Sequence, residues 1–146
     1  MPRPVKGAKW AYGWVVVGPR KEIVIPPDAW REYGFQSGEE AILLAGSRRS
    51  GGFSLSTTAL MAQSSGRRKG VQLAMLGRGR FRKEWTVVLP PEISVAPGDR
   101  LLAVRGSRYG LGFVARGPIY KEATRQSARL DVYGQEEGNG SNGIRA

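Results

Sequence analysis

Apolar residues come in short runs along this chain, and each run is closed by glycine, proline or a charged cluster. Trp10 to Val17 is aromatic and β-branched and predicts a first strand. Gly18-Pro19-Arg20-Lys21 reads as a turn, and Glu22 to Ile25 as a second strand. Pro26-Pro27 ends that strand, because proline has no donor for a ladder and is well placed at a helix start. A short helix is predicted over Pro27 to Tyr33, with Asp28 complementing its dipole. Gly34 is its left-handed cap and Phe35 packs back on it. Glu40 to Ala45 and Gly52 to Ser56 form a hairpin. Thr57 to Ser64 follows as a helix, with Ser56 as its cap and Gly66 beyond its end.

The plan then returns. Gly38 answers Gly98, Gly46-Ser47-Arg48 answers Gly106-Ser107-Arg108, and Phe53 answers Phe113, all at an offset of about 60 residues. Pro26-Pro27 and Pro90-Pro91 lie about 64 apart, so the second copy is about four residues shorter between Pro-Pro and Gly. In this copy Val71 to Leu76 is expected as the first strand, Gly77 to Lys83 as the turn, and Trp85 to Leu89 as the second strand. The spacer after Pro91 has room only for a turn. Arg100 to Val104 and Gly112 to Ala115 form the second hairpin. Pro118 to Leu130 reads as a helix whose sparse apolar face, Ile119, Ala123 and Leu130, predicts weak docking.

Each copy carries a strand ending in Ile/Leu-Pro, then Gly and an acid, then a hairpin. The first copy reads Ile23-Val24-Ile25-Pro26, Gly34-Phe35 and Gly38-Glu39; the second reads Val87-Val88-Leu89-Pro90 and Val95-Ala96-Pro97-Gly98-Asp99. These residues resemble the AbrB/SpoVT/MazE type of swapped-hairpin module, over roughly 14–56 and 71–116. The resemblance implies two modules interleaved in one small barrel, here as an intrachain pseudo-dimer, because a single unit of about 50 residues buries too little apolar area to fold well. The expected fold class is therefore mainly β, a swapped-hairpin barrel with short helices. The expected organisation is a flexible basic arm over 1–9, repeats over 10–66 and 67–133, and a disordered tail over 134–146.

Charge adds direction to this picture. The 146 residues hold 23 Lys and Arg against 12 Asp and Glu, a formal net charge of +11, which favours a polyanionic partner. Cysteine and histidine are both absent, so disulfides, a thiol nucleophile and the usual transition-metal sites are not expected. No cofactor and no small-molecule substrate is indicated. No run of about 20 apolar residues is present, so no membrane span is expected. Ala11 to Gly18 follows Arg3, Lys6 and Lys9 but is short for a signal peptide and lacks a small-residue cleavage pattern; a cytoplasmic protein is the expectation.

From Gly66 to Lys83 the basic residues Arg67, Arg68, Lys69, Arg78, Arg80, Arg82 and Lys83 occur without an acid. Such a run is either a solvated loop or a phosphate-contacting one. Phe81 within it either wedges against a base or packs on the barrel rim. In the resembled family the loop between the first two strands and the short helix after them face DNA. That implies Arg20, Lys21 and Arg31 as further contacts. The sequence departs from the family where Gly-Arg often precedes the Val-Ile-Pro strand: Lys21-Glu22 and Trp85-Thr86 stand there. No nucleophile–base pair and no convergent acid pair is evident, so no enzyme is expected. The functional expectation is a double-stranded DNA-binding transcriptional regulator. The alternatives are a protein-interaction module of antitoxin type and an RNA-binding barrel.

Overall fold

The computed structural model describes residues 3–4, 10–46, 51–63, 75–107, 109–125 and 130–134. The strands are β1 (Arg3–Pro4), β2 (Trp10–Val16), β3 (Glu22–Val24), β4 (Glu40–Ala45), β5 (Phe53–Ser56), β6 (Met75–Arg82), β7 (Thr86–Val88), β8 (Arg100–Ser107), β9 (Gly110–Val114) and β10 (Val132–Tyr133). Three short helices accompany them: α1 (Pro27–Tyr33), α2 (Thr58–Gln63) and α3 (Pro118–Arg125). The protein is mainly β. Nine strands run in the order β1-β2-β8-β9-β5-β4-β6-β7-β3 and curl into a nearly closed barrel, and β10 adds to β2 in parallel.

The two halves are interleaved. β2 pairs with β8, β3 with β7, β4 with β6 and β5 with β9, all antiparallel. Ile23 faces Val87 and Phe53 faces Phe113 in these ladders, and each pair joins residues in corresponding positions of the two copies. An approximate twofold axis therefore passes through both pairs. The Phe53 and Phe113 rings stack on it, 4.9 Å apart and 18° from parallel. The loop hydrogen bonds repeat with the same symmetry. Val17 N–H donates to the Asp99 carbonyl and Phe81 N–H to the Glu39 carbonyl, both at 2.9 Å. Ile25 N–H donates to Trp85 and Leu89 N–H to Lys21, at 2.7 and 2.8 Å. Even the bulges correspond, opposite Val104 in β2 and opposite Leu44 in β6.

One interior cluster fills the barrel with side chains from both halves, including Val15, Ile23, Ile25, Leu43, Leu55, Phe81, Val87, Leu101 and Leu111. The first helix is where the sequence places it. Gly34 closes α1 at φ 72° and ψ 29°, and Phe35 N–H returns to the Trp30 carbonyl at 3.0 Å. Phe35 then stacks on Phe81 at 4.5 Å, with Trp30 edge-on to the same ring at 5.3 Å. Phe81 is thus a core residue, 1% exposed, rather than a wedge.

Three expectations are corrected. Gly77 to Arg82 is not a turn: it belongs to β6, and the turn is Lys83–Trp85. The glycines mark close approach, not chain reversal. A Cβ on Gly79 would stand 3.1 Å from the Val88 carbonyl oxygen, and one on Gly77 3.0 Å from the Pro90 ring. The cap of α2 is Thr57, whose Oγ1 accepts from Leu60 N–H at 3.1 Å; Ser56 is fully buried and donates to the Tyr109 carbonyl at 2.6 Å. Helix α3 is described over Pro118–Arg125, the expected Leu130 lies in a bend outside it, and the docking of the helix is firm. Ala123 and Leu130 join Ala11, Trp14, Leu102, Val104 and Val114 in a second cluster outside the sheet, and Tyr120 lies edge-on to Trp14 at 5.2 Å. Asp131 accepts from Trp14 N–H at 2.8 Å, which brings β10 onto the edge of β2.

Two outcomes follow from this architecture. The segment Met1 to Gly66 contains four barrel strands whose cross-copy partners all lie beyond it, so alone it stays unfolded or self-associates. Circular dichroism against concentration checks this, and a cooperatively folded monomer would contradict the interleaving. Gly34→Val costs about 1 kcal/mol or more through backbone strain alone, because a Cβ there meets nothing within 4 Å; thermal unfolding reads the loss.

Candidate nucleic-acid interface

Alternation along β6 sorts its residues by face. Phe81 points into the barrel, and Gly77 and Gly79 share its parity. Arg78, Arg80 and Arg82 are exposed on the other face. They form one row with about 6.6–6.8 Å between successive side chains, and Lys83 extends it into the following turn.

These cations differ in how firmly they are held. Arg78 pairs with Glu40 at 3.1 Å across the β4–β6 ladder. Arg80 donates to the Gly38 carbonyl at 2.6 Å. Both side chains are exposed, and an exposed pair of this kind is worth about 0–1 kcal/mol, so a phosphate can displace it. Arg82 and Lys83 are exposed and form no ion pair among the described residues.

The first loop is less available. Arg20 is exposed, with its backbone N–H held by Glu22 at 2.8 Å. Lys21 is not free: its ammonium donates to the Ile93 carbonyl at 2.7 Å and the Pro90 carbonyl at 3.3 Å. It fastens the short turn of the second copy and is a structural residue in this conformation. Arg31 sits on the exposed side of α1 and pairs with Asp28 at 2.5 Å. Arg67, Arg68 and Lys69 lie outside the described residues. The structure thus brings Arg78, Arg80, Arg82 and Lys83 into one row. The loop of Arg20 and Lys21 lies across the β3–β7 pair, about four residues or 13 Å along the strands.

The row exists because the two halves differ on their outer faces. Arg78 and Arg80 occupy the positions that Trp14 and Val16 hold in the other half, and Ser54 stands where Val114 is. The apolar set is sealed by α3 and the 130–133 segment; the polar set has no such cover among the described residues.

Two further features escape a reading of the sequence. Glu32 accepts from the Tyr12 hydroxyl at 2.5 Å and also pairs with Arg105. Burial, and then the Glu32 carboxylate, push the Tyr12 phenol up to about 12. These partners come from α1, β2 and β8 and fasten the helix to the barrel wall. At the corresponding place in the other half Tyr12 is replaced by Leu76, Arg105 by Ala45, and the helix is missing. A cavity of about 460 Å³ opens there, lined by Gly52, Phe53, Leu76, Glu92, Ile93 and Val95 among others. No helix among the described residues is long and apolar enough to cross a membrane.

The phenol gives a pH dependence. Its folded pKa lies above the ordinary value of 10, so its contribution is intact below pH 10 and is lost as pH rises towards about 12. Tyr12→Phe therefore flattens alkaline loss of stability over that window, which chemical denaturation at stepped pH measures. Comparison with family models, curated proteins and solved structures gives no match for this chain.

Proposed function

We propose that this protein binds double-stranded DNA through the outer face of β6 and the turn after it, as a transcriptional regulator of the AbrB/SpoVT kind. The observation that carries the reading is the row Arg78, Arg80, Arg82 and Lys83, exposed on a barrel face that no apolar cluster covers among the described residues. Guanidinium groups on a strand are held in order by the ladder and present planar donors to phosphate oxygens. The net charge of +11 supplies the long-range attraction. The repeated Val-Ile-Pro and Gly-acid motifs support the family, while Lys21-Glu22 and Trp85-Thr86 depart from its usual contact residues. The reading does not require a palindromic site, because the two loops differ: one has a fastened Lys21 and the other an open row.

The vacant helix position favours a second reading, a protein-interaction module of antitoxin type. A partner helix presenting an aromatic face, as α1 does with Trp30 and Tyr33, would fill the space beside Phe53 and Leu76.

Salt titration on one duplex tests the first reading. Each neutralised phosphate contributes about 0.9 to the slope of log affinity against log salt. Replacing Arg78, Arg80, Arg82 and Lys83 together by Gln lowers that slope by up to roughly 3–4, Arg20→Gln lowers it by at most about 1, and Lys21→Gln leaves it nearly unchanged while lowering thermal stability. A slope untouched by the fourfold variant removes the β6 face from the interface. Stronger competition by structured RNA than by duplex DNA would move the assignment to RNA.

A further inference from the structure

Position 85 is held in a way that nothing in the barrel explains. Trp85 is 43% exposed, one of the few large apolar side chains left in solvent. Its φ is 60°, and that of Glu84 before it is 61°. Two successive residues with side chains in the left-handed region are strained. The turn is nonetheless fixed on both sides. The Trp85 carbonyl accepts from Ile25 N–H at 2.7 Å, and the Thr86 hydroxyl donates to the Lys83 carbonyl at 3.0 Å.

The other half shows what the position does when its role is structural. Lys21 corresponds to Trp85 and has the same backbone conformation, φ 62°. Its ammonium folds back onto the Ile93 and Pro90 carbonyls. The segment corresponding to that acceptor pair is the start of α1 in the other half, and the Trp85 indole shows no hydrogen bond among the described residues. An indole therefore stands in solvent on a rigid, strained turn, directly after Arg82 and Lys83. Glu84 opposes an anion here, but it is one carboxylate against two cations in the same turn.

We infer that Trp85 is a stacking platform for an unpaired nucleobase, with Arg82 and Lys83 holding the flanking phosphates. This rests on the nucleic-acid reading above and narrows it to a preferred substrate: DNA with an unstacked base, as in a bulge, a mismatch or a single-stranded gap. An aromatic face accepts any base, so the contact selects for unpaired structure and not for sequence. In a fully paired duplex the bases are stacked on one another and Trp85 reaches only sugar and phosphate.

The test compares the full chain with Trp85→Ala and Trp85→Phe on two DNAs, a paired duplex and the same duplex carrying a three-nucleotide bulge. The expected result is tighter binding of the bulged DNA by the native chain. Trp85→Ala should lose about 5- to 150-fold on the bulged DNA and little on the paired one, with Trp85→Phe recovering most of it. Melting curves confirm that the variants fold, as expected at an exposed position. Equal losses on both DNAs, or none on either, with native binding intact, overturn the stacking role and leave the cationic row standing. Binding of neither DNA by the native chain overturns the nucleic-acid reading itself, and the stacking role with it.

Discussion

Every barrel strand of the first repeat finds a backbone partner in the second: β2 with β8, β3 with β7, β4 with β6, β5 with β9. The rest of the structure depends on this crossing. A buried N–H or carbonyl without a partner is expensive, so neither repeat has a stable form in which its strands are satisfied alone. The same crossing places Ile23 on Val87 and Phe53 on Phe113, so the interior is built from residues far apart in the chain. Gly52 shows how close the contact at the axis is. A Cβ there would stand 1.6 Å from the Phe113 carbonyl oxygen, and no side-chain adjustment relieves a clash with backbone.

Once the interior is shared, the outer faces are free to diverge. Trp14, Leu102, Val104 and Val114 make one face apolar, and it is sealed by Tyr120, Ala123 and Leu130. Trp14 also carries the Arg100 guanidinium over its ring at 4.9 Å, so the exposed cation on this side rests on an aromatic face. On the other face Arg78 replaces Trp14 and Glu40 replaces Arg100, and the cations stay in solvent. Such divergence between the two repeats gives a chain with one outer face packed by apolar side chains and one lined with exposed cations. A symmetric dimer cannot do this, because both of its faces carry the same residues.

Much of the fold was legible in the sequence, and the reasons are local. Pro26-Pro27, Asp28 and Gly34 each restrict the backbone within a few residues, and α1 begins and ends where they require. The hairpin strands β4 and β5 follow from apolar runs bounded by glycine. The repeat shows that two similar short units are present, and the interleaving is expected from the resemblance, since neither unit buries enough apolar area alone. What failed had a non-local cause. Gly77 and Gly79 look like turn residues until β7 and Pro90 are laid against them. That misplacement moved the arginines from a strand face to a loop. The correspondence of Lys21 with Trp85 is already legible from the two strand motifs, and the shared positive φ adds that the backbone turns alike at both. The Lys21 bonds and the Glu32–Arg105 pair join residues about half the chain apart, and no spacing rule anticipates them.

The shortened spacer of the second repeat links several of these features. In the first repeat the chain between Pro-Pro and Gly forms α1, and the helix takes up its own carbonyls. In the second, about four residues fewer leave a turn whose Pro90 and Ile93 carbonyls face outward. Each already accepts one backbone N–H of its own turn, and the Lys21 ammonium from the other repeat adds a second donor, which withdraws that cation from solvent. Its counterpart, Trp85, has a half-exposed ring with no hydrogen bond among the described residues. Three asymmetries accompany the shortened spacer: a cavity beside Phe53, a cation held at position 21, and an exposed aromatic ring at position 85. A pseudo-symmetric barrel acquires a distinct front and back by this route, with no change to the strand pairings that hold it together.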